Sequence, residues 1–88
     1  MTEQQIQTKI LKYLKSKEYY TFKTILCNRA GIPDIIGCTL EGKFFAIEVK
    51  KPPRGKLSKL QEWNIASIRK LGAIAIVAHS LDDVKEVL

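Results

Sequence analysis

The sequence predicts an α/β domain with the element order α-β-β-β-α-β-α. Three observations predict it. Two segments of helical periodicity each follow a capping-box signature, Thr2 with Gln5 and Ser58 with Gln61. Two apolar runs, Gly31 to Gly37 and Phe44 to Val49, flank a turn containing Gly42, which is a hairpin signal. A last apolar run, Ala73 to Ala78, follows the second helix. The intervening helix makes that strand parallel to the one before it.

The first helix runs from Thr2 as N-cap to about Ser16, with Ile6, Ile10 and Leu14 as its buried stripe. At about 100° per residue, Glu3 lies in the middle of that apolar stripe, at the helix start. It has two readings: a first-turn acid favourable to the helix dipole, or a third acid pointing towards a site. Tyr19 to Thr24 alternates aromatic and polar residues and reads as the first strand, with its rings in packing roles. Ile25 to Ala30 is ambiguous. The hairpin strands follow, apolar on both faces, so the sheet is expected to be covered on both sides. Lys51-Pro52-Pro53-Arg54-Gly55-Lys56 is a basic loop by its prolines and glycine. The second helix ends at Leu71-Gly72, and Gln61, Ile65 and Ile68 share one stripe of it. Trp63 is read as packing or as part of a dimer contact. His79, at the end of the last strand, reads as structural. Ser80 and Asp83 are expected to cap a final helix reaching Leu88.

The length of 88 residues fits one domain, residues 1–88, with room for one small core. A net charge of +6 points to an anionic partner. All but one of the Lys and Arg side chains lie in residues 1–70, and residues 71–88 are net acidic. No apolar run is long enough for a membrane span, and the start does not read as a signal peptide. Cys27 and Cys38 lack metal-ligand spacing and are expected as free thiols in a cytoplasmic protein.

The hairpin carries three embedded charges: Asp34, Glu48 and Lys50. Glu48 and Lys50 are two apart and share one strand face. Charges inside an apolar strand cost free energy unless paired or metal-bound. A two-residue loop pairs Asp34 with Val49 and puts it on the wrong face. A three-residue loop, Leu40-Glu41-Gly42, pairs Thr39 with Lys43 and Asp34 with Glu48, and places Gly42 where a left-handed residue is favoured. Directly opposite residues have Cβ atoms about 5 Å apart. Two carboxylates that close repel unless a divalent cation lies between them. Asp34 and Glu48 are therefore read as a metal pair.

Pro33-Asp34, a hairpin, and Glu48-Val49-Lys50 resemble the PD-(D/E)XK nuclease motif. With Gly31-Ile32 before and Leu57-Ser58-x-x-Gln61 after, the set resembles the VRR-NUC family within that superfamily. The resemblance spans Glu3 to the last strand. It implies a restriction-endonuclease-like α-β-β-β-α-β core, a mixed sheet flanked by helices. It also implies a Mg²⁺- (or Mn²⁺-) dependent endodeoxyribonuclease. Asp34, Glu48 and the Val49 carbonyl would hold the metal, with Glu3 in support. Lys50 would orient or deprotonate water and neutralise the phosphate. Gln61 either faces the site or closes its capping box. Arg29, Lys51, Arg54 and Lys56 are the candidate DNA contacts. Proteins of this type cut branched DNA such as four-way (Holliday) junctions as homodimers. Two rival readings stand beside it: a non-catalytic basic nucleic-acid-binding module, and an interaction protein whose Asp34, Glu48 and Lys50 form a buried ion network.

Overall fold

The computed structural model describes residues 1–52 and 56–88. The elements are α1 (Glu3–Ser16), β1 (Tyr20–Lys23), β2 (Ile35–Cys38), β3 (Phe44–Val49), α2 (Lys59–Lys70), β4 (Ile74–Ala78) and α3 (Leu81–Lys85). The sheet runs β1-β2-β3-β4 in space. β1, β2 and β3 are antiparallel neighbours, and β4 lies parallel to β3. This mixed sheet flanked by helices is the expected fold class.

The hairpin register is the one derived from the loop. Ile35 faces Ile47 and Cys38 faces Phe44, a pairing that continues to Thr39 with Lys43. The Thr39 N–H donates to the Lys43 carbonyl at 2.9 Å, and the Gly42 N–H to the Thr39 carbonyl at 3.0 Å. Gly42 has φ +83°, so the turn uses the left-handed freedom that glycine supplies. A one-residue slip would turn every β2 side chain to the other face.

The two sheet faces differ. Ile35, Phe45, Ile47 and Val49 point to one face and pack with Ile6, Ile10 and Leu14 of α1 and with Val84 and Leu88. That face is sealed. The other face is half sealed. α2 lies over β4 and buries Asn64 and Ile65. It does not reach β1 and β2, where Tyr20 is 74% and Phe22 47% exposed; Phe44 of β3 is 42% exposed. Coverage on both sides was expected, and the reason for the difference is extent: one 12-residue helix seated on β4 leaves the hairpin's outer half open.

Both expected capping boxes are present, Thr2 with Gln5 and Ser58 with Gln61. The final helix departs from expectation. It ends at Lys85, not Leu88, and Ser80 makes no side-chain cap bond. Asp83 instead accepts from the His79 N–H at 2.8 Å, so its carboxylate holds the strand end. β1 is also shorter than read, with Tyr19 turned inward against Phe45 at a ring-centroid distance of 5.9 Å.

Candidate metal and nucleic-acid site

Asp34 precedes β2 and Lys50 follows β3, so the site lies where the two strands end. The pairing of Ile35 with Ile47 carries Asp34 opposite Glu48. The Asp34 Oδ2 accepts from the Val49 N–H at 2.8 Å, which ties its carboxylate to the β3 backbone. Glu48 is 3% exposed. Its Oε2 accepts from the Gln61 Nε2 at 3.3 Å and lies 3.9 Å from the Lys50 Nζ. Its Oε1 is buried with no hydrogen-bond partner among the described residues.

Burial pushes the Glu48 carboxyl up to about 8 from an ordinary 4.5. The neighbouring Asp34 carboxylate pushes it further, Glu3 adds a smaller push, and Lys50 opposes them. The Glu48 carboxyl therefore holds its proton near neutral pH in the absence of a cation. A buried carboxyl beside a second acid, with one oxygen unpartnered, marks a place that a divalent cation fits. The donors are all oxygen, which suits Mg²⁺ or Mn²⁺. Among the described residues no His, Cys, Asp or Glu completes a cluster of three. Mg²⁺ needs none, because it binds through one or two carboxylates and keeps several waters.

Glu3 is near the site but engaged. Its Oε2 accepts from the Lys51 N–H at 3.0 Å, so it anchors the chain that follows Lys50. Gln61 fills both roles between which the sequence left a choice. Its Oε1 accepts from the Ser58 N–H at 3.0 Å while its Nε2 donates to Glu48. Gly31 makes that approach possible. It has φ +76°, and an added Cβ would meet the Leu60 Cγ at 2.8 Å and the Asn64 Nδ2 at 3.1 Å. The loop leading to Asp34 thus sits directly on the first turns of α2.

His79, read from the sequence as structural, is structural in a way the sequence did not specify. Its Nδ1 lies 3.0 Å from the Lys50 carbonyl. A carbonyl only accepts, so Nδ1 carries the hydrogen. The Lys50 N–H donates to the Ala78 carbonyl at 3.0 Å. Together with Glu3 on the next amide, these bonds fix the Lys50 backbone from β4 and α1. The available signal was position: His79 closes β4, the parallel neighbour of β3.

The candidate DNA contacts spread around this centre. Arg29 lies over the Trp63 ring, 5.4 Å from its centroid, and lines a recess of about 200 Å³ together with Asp34. Lys51 and Lys56 are exposed. Arg54 lies outside the described residues.

The profile of the VRR-NUC domain family matches residues 1–82. A solved structure described as a VRR_NUC domain superposes with TM-score 0.84 at 25% identity, covering 97% of this chain and 91% of that one. A second, described as a VRR_NUC domain protein, gives TM-score 0.80 at 24% identity, over 99% and 84% of the two chains, and shows the fold alone. A comparison with curated proteins found no match.

Proposed function

The chain belongs to the VRR-NUC family of nucleases, and from that premise we propose that it is a Mg²⁺-dependent DNA endonuclease acting on branched DNA, including four-way junctions, as a homodimer. The observation that carries the reading is the buried Glu48 carboxyl held against Asp34 with its Oε1 unpartnered. A binding module has no use for two acids beside phosphate.

Asp34, Glu48 and the Val49 carbonyl would hold the cation, and Glu3, bonded to the Lys51 backbone, would support them. When bound, a divalent cation lowers the pKa of water and offsets the charge that grows on the phosphate. The chain's own groups do the rest. The Lys50 ammonium, beside Glu48, neutralises the phosphate and orients or deprotonates the attacking water. Gln61 holds the Glu48 Oε2 in place. Hydrolysis forms one bond from water oxygen to phosphorus and breaks one phosphate ester bond. Lys51, Arg54, Lys56 and Arg29 add cations along the path of the strand, consistent with the net charge of +6.

The homodimer is supported by the uncovered half of the sheet. Tyr20, Cys38 and Phe44 form one cross-strand row, and Phe22 and Ile36 the exposed part of the next. A second copy on this face would bury Tyr20, Phe22 and Phe44 and supply a second site for a second strand. The test is a cleavage panel: continuous duplex, single strand, flap and four-way DNA with Mg²⁺, Mn²⁺ or EDTA. Cleavage of the branched forms with metal and none in EDTA is expected. Metal-independent cutting, or none on any substrate, contradicts the reading.

A further inference from the structure

The loop 24–31 joins β1 to Asp34, and two consecutive side chains in it are almost wholly exposed: Ile25 at 89% and Leu26 at 94%. Scattered exposed hydrophobics are ordinary, but an adjacent pair beside a charged site is not. The loop is also firmly tied to the site. The Thr24 N–H donates to the Asp34 carbonyl at 2.8 Å, and the Thr24 Oγ1 donates to the Pro33 carbonyl at 2.8 Å. At its other end the Asn64 Nδ2 donates to the Ala30 carbonyl at 3.3 Å. Ile25, Arg29 and Asp34 line one recess. The Trp63 ring orients the Arg29 cation without neutralising it. Lys23 precedes the pair, and no acid occurs between Glu18 and Asp34.

We infer that this loop is a base-unstacking wedge: Ile25 and Leu26 enter the base stack of a DNA strand next to the phosphate at Asp34, while Arg29 holds a neighbouring phosphate. The inference rests on the nuclease reading and deepens it. Apolar side chains inserted between base steps must offset the lost stacking. In continuous duplex that cost is met in full. At a branch point the stack is already interrupted, so the same side chains enter at lower cost. The wedge thus supplies a preference for branched over continuous DNA that needs no base-specific contact. The cations on either side of the pair favour a polyanion over a protein as its occupant.

The test is the double variant Ile25→Ser/Leu26→Ser, with circular dichroism as folding control; both side chains lie outside the core. The probe is a four-way junction carrying 2-aminopurine at the branch, bound in EDTA. Wild type should raise its fluorescence by unstacking the base, and the double variant should not, whereas Leu26→Phe should retain the rise. With Mg²⁺, the ratio of four-way to continuous-duplex cleavage should fall about tenfold in the double variant, the loss of one offset base step. A full fluorescence rise with the double variant overturns the wedge, as does no rise with wild type. So does a double variant that dissociates a dimer in sedimentation while keeping the rise, because the pair then belongs to a protein contact. Because the fluorescence is read in EDTA, a wild type that unstacks the base yet never cuts would remove the nuclease reading and leave the wedge standing.

Discussion

Glu48 is a carboxyl whose ionisation the fold resists. Its folded value lies near 8 against 4.5 for an ordinary glutamate, so between these limits the metal-free native state binds more protons than the unfolded chain. Stability of the metal-free protein should therefore fall as pH rises from about 4.5 to 8. Glu48→Gln should remove that slope, and denaturant melts in EDTA across this range check it. A cation held by Glu48 would displace the Glu48 proton, so apparent Mg²⁺ affinity should rise with pH up to about 8 and then level off. His79 gives a second prediction at this scale. His79→Asn keeps a donor where Nδ1 lies and should retain kcat, whereas His79→Leu should lower kcat by about tenfold or more with DNA binding unchanged, as expected when a group near the reaction is misplaced. The face shared by Asp34 and Glu48 was legible because loop length and Gly42 fix the register. The clamp on Lys50 was not legible, because it depends on where β4 ends beside β3, a long-range alignment that no local spacing encodes.

Helix ends carry site geometry as well as helix stability. Gln61 closes the α2 capping box with one end of its amide and holds Glu48 with the other. Gln61→Ala loses the capping acceptor and should cost about 1 kcal/mol, while Gln61→Glu keeps that acceptor but sets a carboxyl oxygen against Glu48, so its loss of stability should appear only as pH rises. Both remove the donor to Glu48, so both should lower cleavage by about tenfold or more. Parallel thermal melts and rate measurements separate the two roles. The end of α1 offers a stability test remote from the site. Glu18 follows the helix with φ +63°, a conformation that costs a side chain about 1–2 kcal/mol. Glu18→Gly should stabilise the fold by about 1 kcal/mol after the greater freedom of unfolded glycine is counted, raising Tm by about 4–8 °C. Element order and both capping boxes were readable from periodicity and cap residues. The length of α3 was not, because Asp83 bonds the strand-end amide of His79 and Ser80 leaves its cap unmade.

Across the whole molecule, charge and exposed apolar area divide the surface. The cations cluster in residues 1–70 with the site, as the sequence showed. Replacing Lys51, Arg54 and Lys56 together with alanine should weaken DNA binding and flatten its salt dependence, by a log–log slope of up to about 0.9 per lost phosphate contact. Binding isotherms at several salt concentrations read this directly. The open half of the sheet was hidden from the sequence. Tyr20, Phe22 and Phe44 have the alternation of buried strand residues, and which of them a helix covers depends on where α2 lands. Phe22→Glu and Phe44→Glu should shift sedimentation from a dimer towards a monomer of 10.0 kDa.

The central claim is that Asp34, Glu48 and Lys50 form one metal-dependent cleavage centre. The most direct test compares Glu48→Gln with wild type on one four-way junction, cleavage being timed with Mg²⁺ and binding titrated in EDTA. The account predicts cleavage reduced by about a hundredfold or more, since the change removes part of the charge-stabilising assembly. It also predicts binding as tight as wild type or tighter, because a negative charge facing phosphate is gone. Cleavage at the wild-type rate, or a folded variant that no longer binds DNA, would contradict it.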